Sequence, residues 1–106
     1  MKKQPTMEWW DRIERELHAV AEARGGVCEH MSRSAGGTEY YEIFVPSGTD
    51  DPDGDVTLRV RVADHPTAHC SEDISLVFGG GGPDDHGDDT RAVARLLDRL
   101  IAETQH

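Results

Sequence analysis

Large apolar side chains are scarce in this sequence. Leu, Ile, Val and Phe make up only about a fifth of the chain, which with a net charge of −10 reaches the compositional border of intrinsic disorder. Aromatic residues are few as well: two Trp, two Tyr and two Phe. No apolar run approaches the roughly 18 residues that a membrane-spanning helix needs. Lys2 and Lys3 are followed by polar residues rather than an apolar stretch, so the pattern of a signal peptide is missing. Cations are in short supply: 11 Lys and Arg stand against 21 Asp and Glu, and the pI is near 4.8. That balance argues against direct binding of nucleic acid, which needs phosphate-neutralising side chains. Cys28 and Cys70 are the only cysteines and neither belongs to a CxxC pair. Without an export signal they are expected as free thiols in a reducing cytoplasm. The preference for Arg over Lys fits GC-rich coding in a bacterium or a bacterial virus.

What is present is regular patterning within a length suited to one domain, with residues 1–5 as a flexible tail and 6–106 as the folded unit. Thr6 is placed to cap a helix, with Glu8 near its positive end. Trp10, Ile13, Leu17 and Val20 form one apolar stripe, widened by Trp9 and Ala21. Gly25-Gly26 ends the helix. Strands are predicted over 27–32 and 38–45, separated by turn residues 33–37. A loop follows at 46–54. Val56, Leu58, Val60 and Val62 alternate with Thr57, Arg59 and Arg61, the clearest strand in the chain. A second loop covers 64–73, a fourth strand 74–78, and a glycine-rich acidic connection 79–87. A last helix runs from Thr90 to Glu103, capped by Asp88 or Asp89. Its apolar stripe is Val93, Leu96, Leu97, Leu100 and Ile101, with Arg91, Arg95 and Arg99 on the other side. The predicted fold class is α+β in the order α-β-β-β-β-α. Four strands form an antiparallel meander, with two helices packed on one face.

Several clusters resemble parts of chemical sites without completing one. Cys28, His30, Asp64, His65, His69, Cys70 and His86 are zinc-ligand types, but neither C-x2-C nor H-E-x-x-H spacing occurs. The acidic run from Asp50 to Asp55 suggests a calcium loop, yet the twelfth position counted from Asp51 is Val62, which cannot ligate. Gly79-Gly80-Gly81-Gly82 is followed by aspartates rather than the lysine of a phosphate loop. His69, Cys70, Ser71 and Asp73 supply nucleophile and base types but no nucleophile elbow. No catalytic residue, metal ligand or cofactor is therefore assigned. A metal-dependent or hydrolytic enzyme built on the His65/His69/Cys70 loop with Asp64 stands as an alternative.

Two surfaces remain as candidates. If Tyr41, Ile43 and Val45 face the helices, then Tyr40 and Phe44 lie on the open sheet face beside Arg59 and Arg61, with Glu42 facing either arginine. Tyr and Arg together form a composition common at protein hot spots, and these four are the candidate anchors. Asp50, Asp51, Asp53, Asp55, Asp84, Asp85, Asp88 and Asp89 fall in predicted loops and form the candidate steering set for a basic partner. The open face also allows self-association into a homo-oligomer.

The segment Val56-Thr57-Leu58-Arg59-Val60-Arg61-Val62-Ala63-Asp64-His65-Pro66 ends in an Arg-x-(Ser/Ala)-Asp-His pattern. This resembles small acidic accessory proteins of phages and mobile elements, a group that includes anti-CRISPR inhibitors. The resemblance covers about a dozen residues. That group shares no common fold or motif, so no site residue is carried over. It implies an inhibitor or accessory role in a bacterial host cytoplasm. The expected function is non-catalytic binding to a basic protein of a nucleic-acid-handling complex by charge mimicry, with neither membrane nor nucleic acid as direct partner.

Overall fold

In the computed structural model, described over residues 7–46, 55–64, 73–78 and 90–104, the two helices flank four consecutive strands. They are α1 (Met7–Glu22), β1 (Val27–Arg33), β2 (Glu39–Val45), β3 (Val56–Ala63), β4 (Asp73–Val77) and α2 (Thr90–Thr104). The strands form one sheet in the order β1-β2-β3-β4. Helix α1 lies over β1 and β2, α2 lies over β3, and the two helices touch. Among the described residues no helix is long and apolar enough to cross a membrane.

The core forms where the helical stripes meet the alternating strands. Trp9, Ile13, Leu17 and Ala21 are buried along α1, while Trp10 and Val20 sit at the edge of the core. The buried line is thus rotated by one residue from the expected stripe. The Trp9 ring packs edge-on against Trp10 at 4.8 Å and Phe78 at 5.0 Å, an arrangement that aromatic quadrupoles favour. Ile43, Leu58, Val60, Val62, Leu76, Val93 and Leu97 are wholly enclosed.

Helix α1 ends as the paired glycines predict. Gly25 takes φ 73°, its N–H donates to the Glu22 carbonyl, and the Gly26 N–H donates to the Ala21 carbonyl. These two bonds are the Schellman pattern, which satisfies carbonyls at the helix end. Arg24 adds a cation there: it donates to the Val20 carbonyl at 2.9 Å and holds Asp98 of α2 through two bonds of 2.7 and 3.0 Å. Helix α2 is tied back at its other end, where the Thr90 hydroxyl donates to Glu16 at 3.2 Å.

The expectation of an all-antiparallel sheet is corrected at β4. Pairs β1–β2 and β2–β3 are antiparallel, but β4 runs parallel to β3, with Val60 beside Ile74 and Val62 beside Leu76. Parallel neighbours usually need a connection of a dozen or more residues. Here β4 is short and its register is in phase with the end of β3. The chain has to return only from the level of Ala63 to that of Arg59, roughly 13 Å. A connection as long as residues 64–72 reaches up to roughly 30 Å when extended.

The sheet face turned away from the helices is open only in part. Thr57, Arg59 and Phe44 are exposed there, whereas Arg61, Ala63, Ser75 and Val77 are buried.

Candidate functional site

A one-residue irregularity in β1 organises the most elaborate polar cluster among the described residues. The register with β2 shifts between His30 and Ser32, so Met31 is an extra residue in the ladder. In a regular strand His30 and Arg33 would point to opposite faces. The bulge brings them to the same face, because His30 pairs with Tyr41 and Arg33 with Glu39. Both reach the Glu39 carboxylate: Arg33 Nε donates to Oε1, and His30 Nε2 lies 2.5 Å from Oε2. The turn that follows is closed by Gly37 N–H donating to the Ser34 carbonyl and Thr38 N–H donating to the Ser34 hydroxyl. Gly37 takes φ 90°, where a side chain would be strained.

Helix α1 faces this cluster across a groove of about 510 Å³. Trp10, Asp11 and Glu14 form the helix side, and Arg33, Glu39 and Tyr41 the sheet side. The turn 34–37 and Asp64 close its ends. The Tyr41 hydroxyl donates to Glu14 at 3.0 Å and joins the two sides. A second depression of about 620 Å³ runs along α1 from Glu8 to Glu22 and shares Asp11 and Glu14 with the groove. The outer side of α1 therefore presents Glu8, Asp11, Glu14 and Glu22 around Arg15 and His18.

The electrostatics are those of fixed charges. Burial alone would raise the Glu39 carboxyl, but the hydrogen bonds and charges of Arg33 and His30 outweigh it and hold the group below the usual carboxylate range. Burial, followed by the Glu14 hydrogen bond, holds the Tyr41 phenol well above its ordinary value, so it stays a hydrogen-bond donor. Cys28 is a free, buried thiol on the helix side of β1. Burial, then the charges of Glu14 and Glu29, push it up to about 11, so it is protonated at neutral pH and poor as a nucleophile or metal ligand.

The residues singled out from sequence are scattered relative to this groove. Tyr41 faces the helices as expected, so Tyr40 lies on the opposite face, directly across from Arg61. Glu42 faces Arg59, which settles the choice between two arginines. Tyr40 is half-buried, Phe44 is 37 % exposed and Arg59 is exposed, but Arg61 is only 5 % exposed and is not available as a surface anchor. Asp55 is half-buried just before β3. Asp50, Asp51, Asp53, Asp84, Asp85, Asp88 and Asp89 lie outside the described residues, as do His65, His69, Cys70 and His86. Among the described residues no three His, Cys, Asp or Glu side chains converge as metal ligands.

Sequence reasoning missed the groove. Trp10 had been read as a core residue and Glu14 and Glu39 had not been singled out. The one available sign was the run of charge on the outer side of the α1 stripe. Comparison with protein-family models, curated proteins and solved structures finds no match to this chain.

Proposed function

We propose that this chain is a non-catalytic acidic binding protein that docks on a basic surface of another protein. The observation that carries this reading is the convergence of two depressions on α1 at Asp11 and Glu14, in a chain of net charge −10. Such a surface attracts a basic partner over several ångströms and speeds encounter. Nucleic-acid-handling proteins present the commonest strongly basic surfaces, so a charge mimic that blocks one is the specific form of the reading. The state of the polar groups supports binding over catalysis: Glu39 is held by two partners, and the Cys28 thiol is protonated.

The test is a pull-down of tagged protein from bacterial lysate, washed at about 50 mM and about 300 mM salt, across which screening grows severalfold. The reading expects a basic nucleic-acid-handling protein retained at the low salt and released at the higher. Retention indifferent to salt contradicts it.

A second reading, self-association, is favoured by Val27 and Phe44. They are cross-strand neighbours on the open sheet face, 52 % and 37 % exposed, and Met31 at the bulge is 54 % exposed. Light scattering distinguishes it, since a monomer at working concentration removes it.

A further inference from the structure

We propose that the groove beside α1 is a slot for an arginine guanidinium of the basic partner; this rests on the reading above and gives it a specific contact. Carboxylates on a surface do not define such a slot alone. Here the chain supplies an example of the ligand: the Arg33 guanidinium lies in the groove against Glu39. Glu39 takes a cation on each carboxylate oxygen and is only 8 % exposed, while the Arg33 side chain remains 71 % exposed. The sheet side is thus a neutralised guanidinium–carboxylate pair.

The helix side has the same acceptor chemistry with no cation in place. Among the described residues, neither Asp11 nor Glu14 is paired with a cation. Glu14 is held in position through the Tyr41 hydroxyl on Oε2, which leaves Oε1 directed to a further donor. Asp11 and Glu14 are one helical turn apart and share one wall. Trp10 and Met7 line the groove beside them, and Met7 is 74 % exposed. They offer apolar surface to the methylene stem of a long cationic side chain. The geometry favours guanidinium over ammonium on physical grounds. A planar fork bridges two carboxylates and stacks on an indole, whereas an ammonium is a strongly hydrated point charge. An anionic ligand is disfavoured, because the one cation on the sheet side is already paired with Glu39 and two carboxylates face it.

The experiment is calorimetric titration of the full chain at low salt with capped hexa-arginine, and with capped hexa-lysine as comparator. Hexa-arginine is expected to bind several-fold more tightly than hexa-lysine. Asp11→Asn combined with Glu14→Gln is expected to weaken hexa-arginine about tenfold. Glutamine keeps an acceptor for the Tyr41 hydroxyl, so the fold is retained, and a thermal melt of the variant checks it. Glu29→Gln combined with Glu103→Gln removes the same charge on the far sheet face and at the end of α2, and is expected to change binding by less than about twofold. Equal weakening by both double variants means that binding follows net charge; it overturns the slot and leaves the acidic-binding reading standing. Equal affinity for the two peptides overturns the choice of guanidinium. No binding of hexa-arginine to the unaltered chain overturns both the slot and the reading beneath it.

Discussion

Glu39 shows how one buried carboxylate organises a surface. It is nearly enclosed, a costly place for a charge without partners. Arg33 and His30 supply them, and both do so because Met31 is extra in the β1 ladder. The Glu39 carboxyl is held below its ordinary value near 4.5. Its stabilising contribution is therefore fully present above that value and is lost as pH falls through the lower folded value. Glu39→Gln is expected to lower stability by about 1.5–3 kcal/mol near neutral pH, the usual cost of losing hydrogen bonds to a buried charged group. It is also expected to flatten the fall in stability below pH 4.5. Urea melts of both proteins, near neutral pH and below that value, test the claim. A loss that is the same at both pH values contradicts the ionised pairing.

At the scale of elements, the junction of α1 and β1 is the tightest constraint on the chain. A Cβ at Gly26 would lie 2.4 Å from the Phe44 carbonyl oxygen and 2.9 Å from Val45 Cγ2, so the helix end cannot approach β2 with any other residue there. At Gly25 a Cβ meets nothing within 4 Å and only the left-handed backbone opposes it. Gly25→Ala is expected to cost about 1–2 kcal/mol. Gly26→Ala is expected to cost more, because backbone must move; chemical denaturation that ranks them the other way contradicts the packing. Much of this level was legible in the sequence. The Gly25-Gly26 stop, the alternation from Val56 to Val62 and the stripe through Val93 and Leu97 each correspond to an element or its end. Strand direction at β4 was not legible from loop length. The clue was Ile74, Ser75, Leu76 and Val77, all buried, an unalternating run suited to a strand covered on both faces. The groove was less legible still, because a bulge leaves no periodic signature and a shift of one position exchanges faces. Trp9 and Trp10 illustrate the same limit: adjacent indoles both fit the stripe, and only packing against Phe78 places Trp9 inside.

Over the whole molecule, patterning prevails over composition. A chain with few large apolar residues and a charge of −10 still builds a continuous core, because both helical stripes and the inner sheet face contribute to one cluster. The excess charge is left to the surface, and on α1 it meets the groove. The central claim is that a basic partner is recognised there rather than on the sheet face that carries Phe44 and Arg59. Nitrogen–proton correlation spectra of the labelled chain, recorded during titration with capped hexa-arginine at low salt, test this most directly. The account predicts the largest shifts at the Trp10 indole N–H and at the amides of Asp11, Glu14 and Arg33. Largest shifts at Tyr40, Phe44 and Arg59, with the groove unmoved, would contradict it.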